Sequence, residues 1–273
     1  MASSSIRLLV SDIDGTLITS EKTLTDRTID AVQQLLHSGI QFAITSSRPP
    51  PGLAMYATPL GVTTPLGAYN GGQFCEPTTL RVIAARAIPA AAVAPLVAMI
   101  EGAGLQAWVY RGGAWLVRDE EAWHVQHEAE VVQFAPTQVA DFGDLDGADA
   151  ADVVKVVGVS QDHDAVARVE GDIQARLGAM VSATRSQAYY VDVTNPDANK
   201  GAVVDYLSQH LGVPHDEIAA IGDGQNDTLM FARVGLSIAM GNGEAEVQHA
   251  ANVTTAGNDD DGFARAVDQY LLA

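Results

Sequence analysis

The sequence predicts an α/β protein, a doubly wound parallel-sheet core interrupted by an inserted α+β domain. Three observations carry this. Short apolar runs alternate with helically spaced stretches at both ends of the chain, as β-α-β units require. The alternation breaks near Ala85 and resumes in the last third. Three of the apolar runs end abruptly in acids or hydroxyls, at Asp12 and Asp14, at Ser46 and Ser47, and at Asp223, Asn226 and Asp227. Strand ends of a parallel sheet share one edge, so these groups can converge there.

Taken in order, residues 8–10 (Leu-Leu-Val) form a buried central strand that stops at Asp12, Asp14, Gly15 and Thr16. A bare pair of acids at a strand end reads equally as a turn cap beside a solvated carboxylate. The choice therefore depends on what the rest of the chain brings. Thr25 or Asp26 caps a helix with Ile29, Val32, Leu35 and Leu36 on one face, and residues 40–44 make the second strand. That strand runs into Thr45, Ser46, Ser47 and Arg48, and three prolines after it turn the chain. Hydroxyls and amides at this point suit phosphate oxygens, although an ordinary serine-rich loop has the same composition. A helix over 52–60, a strand over 65–69 and a hairpin turn at Asn70-Gly71-Gly72 follow.

From residue 85 the pattern is helix, two short strands, a looser acidic stretch over 119–149, a strand over 153–159, a helix over 165–177 and a strand over 180–183. This is the inserted domain, 85–187, of ordinary domain size. Residues 189–193 are expected to return to the first domain, which comprises 1–84 and 188–273. A helix starting at Asn199 carries Lys200 at its entrance. A strand over 218–221 ends in Gly222-Asp223-Gly224-Gln225-Asn226-Asp227, and further alternation to a closing helix over 262–272 completes the sheet.

The composition limits the function. With 273 residues, 47% of them hydrophobic, the chain can bury a sizeable core. A net charge of −19 argues against a nucleic-acid or anionic-membrane partner, both of which need a basic face. No stretch approaches the roughly 18 apolar residues of a membrane span. The apolar run near the N-terminus is too short for a signal peptide. Cys75 is the single cysteine, so neither an intrachain disulfide nor a Cys/His zinc pattern can form, which fits a reducing cytoplasm. His124 and His127 have the wrong order for a zinc-protease helix and read as surface residues. Hard oxygen donors without His or Cys select Mg²⁺.

The same residues carry a resemblance. DIDGT at 12–16, TSSRP at 45–49, AYNGG at 68–72, NKG at 199–201 and GDGQND at 222–227, in this order, resemble a haloacid dehalogenase superfamily phosphatase of the Cof-like kind. The resemblance spans essentially the whole chain. It implies a Rossmann-like core with the inserted α+β domain as a cap, and a cytoplasmic Mg²⁺-dependent hydrolase acting on a small phosphorylated metabolite, with sugar phosphates the leading class. It also implies roles. Asp12 is the nucleophile and Asp14 the general acid and base. Asp12, the Asp14 carbonyl and Asp223 hold the metal, with Asp227 bracing them. Ser46, the Ser47 amide, Lys200 and Asn226 bind phosphate oxygens. Arg48, Asn70, Arg111, Arg185 and Tyr190 are candidates for reading the substrate. The family commonly has Thr-Gly-Arg where this chain has Ser46-Ser47-Arg48, which leaves that loop's geometry open. A phosphotransferase or phosphomutase, and a non-catalytic protein that binds a phosphorylated ligand, are the alternatives on the same scaffold.

Overall fold

The structure is a computed structural model and describes residues 6–272. The first five residues, on which the reading of the N-terminus partly rests, lie outside the described residues.

The chain begins with strand β1 (Leu8–Ser11), buried at every position, helix α1 (Asp26–His37) and strand β2 (Gln41–Ile44). Thr25 is the cap of α1: its hydroxyl accepts the Thr28 amide, satisfying an N–H that the first helical turn leaves unpaired. Helix α2 (Pro50–Leu60) starts two residues earlier than expected. Prolines at its first positions need no amide there and already hold helical φ, so they open the helix rather than merely turning the chain. Strands β3 (Leu66–Ala68), β4 (Gln73–Cys75) and β5 (Val82–Ala85) form a small sheet, β3 and β4 being an antiparallel hairpin.

Next come α3 (Ala90–Gly102), β6 (Gln106–Arg111), β7 (Ala114–Val117), α4 (Trp123–Val132), β8 (Thr137–Gln138), β9 (Val153–Val159), α5 (His163–Leu177), β10 (Ser182–Gln187) and β11 (Tyr190–Thr194). These elements lie in one compact unit, 85–198. Its six strands run in the order β10-β11-β9-β6-β7-β8. Val93, Leu96 and Ile100 of α3 and Val166, Val169 and Ile173 of α5 share a core with Val109, Val156 and Val191 of the sheet.

Two expectations are corrected here. Strand β11, expected back in the first domain, pairs antiparallel with β9 and β10, so this unit extends past residue 187 to 198. Its alternation buries Val191 and Val193 in the core of the second unit, a partner that the apolar pattern alone does not name. The stretch 119–149 is not simply loose: it holds α4 and β8. Only Val125 and Val132 of α4 are buried, which is too sparse a stripe to announce a helix.

The last third comprises α6 (Lys200–Leu211), β12 (Ile218–Gly222), α7 (Thr228–Phe231), β13 (Leu236–Ala239), α8 (Ala245–Ala250), β14 (Val253–Thr254) and α9 (Gly262–Ala266). The closing helix ends in a π-helical turn over Val267–Leu271. With the described parts of 1–84 it forms the other compact unit. The five-stranded sheet has the order β14-β13-β12-β1-β2, parallel throughout. β1 lies in its middle, and Ser11 faces Ile221 on one side and Ile44 on the other. The residues that follow these three positions, Asp12, Gly222 and Thr45, therefore emerge in one row.

Candidate active site

Asp12 extends β1 by one rung, donating its amide to the Ile221 carbonyl at 3.1 Å, so its 6%-exposed carboxylate stands at the sheet's edge. The chain then turns sharply through Gly15, at φ +76. A Cβ on Gly15 would lie 2.3 Å from Asp223 Oδ2, so the turn and the close approach both require glycine. Thr16 donates its hydroxyl to Asp223 Oδ1 at 3.1 Å, tying the first strand's loop to the acid after β12.

Asn199 caps α6, accepting the Ala202 amide, and so places Lys200 in the first turn. Lys200 is 2% exposed, and its Nζ lies 2.6 Å from both Asp12 Oδ1 and Asp227 Oδ1. The second oxygen of Asp227, which is wholly buried, accepts the amides of Asp223 at 3.0 Å and Gly224 at 2.9 Å. One carboxylate thus shapes the loop after β12 and aligns the lysine.

Carboxylate oxygens of Asp12, Asp223 and Asp227 lie within 4.8 Å of one another, and Lys200 faces this largely buried cluster. Burial first, and then repulsion from Asp227 and Asp223, push the Asp12 carboxyl up to about 8 against the pull of Lys200. Asp223 is pushed up by burial and by Asp227. The all-oxygen donor set fits a hard divalent ion.

Asp14 has the opposite environment. Burial raises its carboxyl, but hydrogen bonds and charge from Arg48 and then Lys22 overcome this and hold it down at about 2. Arg48 Nε donates to Asp14 Oδ2 and one terminal guanidinium nitrogen to Oδ1, each at 2.7 Å, while Lys22 Nζ reaches Oδ1 at 2.7 Å. Arg48, a candidate for reading the substrate, has a side chain 5% exposed that pairs with Asp14.

Ser46 is buried, and its hydroxyl accepts the Arg48 amide at 3.2 Å. Ser47 beside it is half-buried. The Ser46 carbonyl accepts the amide of Asn70, a residue at φ +55, and the Asn70 side-chain oxygen accepts Asn226 Nδ2 at 3.4 Å. Asn70 and Asn226 therefore meet across the same edge. The other three candidates belong to the second unit and have partners within it. Arg111 ties the 142–149 loop through the Phe142 carbonyl and Asp149, Arg185 pairs with Glu170, and the buried Tyr190 ring packs edge-on against Trp108.

Sequence reasoning missed Lys22 and Asn242, and gave Thr16, part of the first motif, no role of its own. Asn242 donates to the Gly15 carbonyl at 2.9 Å and to Asp223 Oδ2 at 3.3 Å. A signal was present, since Gly241-Asn242-Gly243 is a polar turn after one more strand of the same parallel sheet.

Carboxylates and a lysine on the edge of a parallel sheet, beyond its strand ends, define an α/β enzyme site suited to phosphoryl chemistry. The family model described as haloacid dehalogenase-like hydrolase matches residues 9–267. A relative from Bacillus subtilis (strain 168), the 5-amino-6-(5-phospho-D-ribitylamino)uracil phosphatase YitU, is 29% identical, with 97% of each chain covered. The pyridoxal phosphate phosphatase YbhA of Escherichia coli (strain K12) is 25% identical, with 97% of this chain and 99% of its own length covered. The solved structure of a haloacid dehalogenase-like hydrolase from Bacteroides thetaiotaomicron matches with a TM-score of 0.88 at 28% identity, covering 97% of this chain and 99% of that one. The chain belongs to the haloacid dehalogenase-like hydrolases and is an enzyme of their Cof-like phosphatase kind, a phosphoric monoester hydrolase. No helix among the described residues is long and apolar enough to cross a membrane.

Proposed function

We propose that this enzyme hydrolyses a small phosphorylated metabolite, with sugar phosphates the leading class, through an aspartyl phosphate on Asp12, and that it needs Mg²⁺. The observation that carries the reading is the Asp12 carboxylate held 2.6 Å from Lys200, with the Asp223 and Asp227 carboxylates beside it. The named substrates of the two relatives, a phosphoribitylamino uracil and pyridoxal phosphate, support a small phosphate ester. A cytoplasmic setting accords with the single cysteine.

Asp12, the Asp14 carbonyl and Asp223 would hold the ion, with Asp227 bracing them. Bound there, Mg²⁺ supplies neutralisation of phosphoryl charge. The chain's own residues do the rest. Asp12 attacks phosphorus. Lys200, fixed by Asp227, screens the repulsion between that carboxylate and the phosphate dianion. Ser46, the Ser47 amide and Asn226 orient the phosphoryl oxygens. Asp14 protonates the departing alkoxide and then takes a proton from the water that cleaves the aspartyl phosphate.

The test is phosphate release over a panel of phosphorylated metabolites, with and without Mg²⁺, with Asp12→Asn as the blank. Metal-dependent release from a related few is the expected result. Transfer to a sugar acceptor in preference to water would establish the transferase alternative, and ligand binding without turnover the non-catalytic one.

A further inference from the structure

We propose that Arg48 is the positioning residue of the Asp14 carboxylate, and that Lys22 is a second, releasable donor to the same group. This deepens the hydrolase reading above and rests on it.

The two cations differ in how they are held. Arg48 grips both Asp14 oxygens at 2.7 Å, has a side chain 5% exposed, and sets its guanidinium 5.5 Å from the centre of the Tyr56 ring. Its backbone is held too. The amide donates to Ser46 Oγ, and the carbonyl accepts the Tyr69 amide at 3.1 Å. A two-pronged pair of this kind fixes the plane of a carboxylate, not merely its distance. Lys22 reaches one oxygen only, from a turn in which its amide donates to the Thr19 carbonyl, and its side chain is 50% exposed.

The asymmetry fits the reaction. In the first half a proton that Asp14 has taken up from solvent passes to the ester oxygen as that oxygen's bond to phosphorus breaks and the bond from Asp12 forms. Of the two donors, the half-exposed Lys22, held by a single contact, is the one free to withdraw into water. In the second half the Asp14 carboxylate takes a proton from water as the water oxygen attacks phosphorus and the Asp12 bond breaks. The sum is a phosphate monoester and water giving an alcohol and hydrogen phosphate. Throughout, Arg48 keeps the carboxyl facing the reacting oxygen.

The experiment compares kcat/KM of wild type, Arg48→Ala, Arg48→Lys and Lys22→Met on p-nitrophenyl phosphate and on the best alkyl phosphate of the panel. An aryl leaving group departs without a proton, whereas an alkoxide requires one. Arg48→Ala is expected to lose about 10²-fold in kcat/KM on the alkyl ester and under about three-fold on the aryl ester. On the aryl ester kcat and KM fall together, because water attack still needs Asp14. Guanidinium added to Arg48→Ala restores part of the alkyl activity. Arg48→Lys, which keeps charge without the fork, is expected to fall between, and carries the comparison if the alanine variant does not fold. Lys22→Met is expected to lose less on the alkyl ester than Arg48→Ala does. Equal losses on both esters, or none, would overturn the role of Arg48 alone. A Lys22→Met loss matching that of Arg48→Ala would overturn the releasable donor. Wild type that hydrolyses neither ester sinks the hydrolase reading and this proposal with it.

Discussion

Lys200 Nζ lies 2.6 Å from Asp227 Oδ1, with 2% and 0% of their side chains exposed, although 27 residues separate them. The pair links the start of α6 to the loop after β12. Removing one partner of such a pair leaves a charge buried without its match. Asp227→Ala is expected to destabilise the fold by about 3–5 kcal/mol, read by denaturant unfolding. Unchanged stability would mean that the loop is held by other contacts.

Asp12→Asn is expected to abolish phosphate release, by about 10³-fold or more, while circular dichroism stays native. Full turnover in that variant would remove Asp12 from the chemistry.

The acidity of Asp12 makes the stability of the metal-free protein depend on pH. Its carboxyl is pushed up to about 8 by burial foremost and then by its acidic neighbours. The folded state therefore keeps a proton that the unfolded chain has released, and stability falls as pH rises toward about 8. The thermal midpoint of metal-free protein is expected to decline over that range, and Asp12→Asn to flatten the decline. Mg²⁺ should recover stability at the upper end, where it meets a carboxylate already without its proton. A flat profile in wild type would contradict the assigned shift.

Gly15→Ala tests the close approach at the metal candidates. The added Cβ would lie 2.3 Å from Asp223 Oδ2, and φ +76 disfavours any other residue. Calorimetric titration with Mg²⁺ is expected to show affinity lower by about 10–100-fold. Wild-type affinity would show that Asp223 shifts without consequence.

Chelation is the simplest check. Ethylenediaminetetraacetate should stop phosphate release, and Mg²⁺ in excess should restore it. Ca²⁺ should restore little, because its larger shell takes more ligands at longer distances. Undiminished release in chelator would refute the metal requirement.

Much of the core was legible because strand ends announce themselves. Val10, buried in β1, is followed within two residues by Asp12, and Ile221 of β12 is followed as closely by Asp223. An apolar run that stops at an acid has no other common explanation once several such stops recur. The second unit was harder to read. Tyr190–Thr194 carries the alternation of any half-buried strand, and only its pairing with β9 shows which sheet it joins. Helix α4 buries too few residues to leave a periodic trace.

The sequence by itself determined the class of fold, the order of the motifs and the residue types of the site, because each depends on local pattern and on chemistry that few side chains supply. Only the tertiary structure decided the partners. Arg48, a candidate for reading the substrate, pairs with Asp14, 34 residues away. Lys22 and Asn242 carried no motif, yet one reaches Asp14 and the other Asp223. The physical reason is that a long polar side chain spends its charge on whatever the packed backbone brings within about 3 Å, and that distance is set by the registers of strands far apart in the chain.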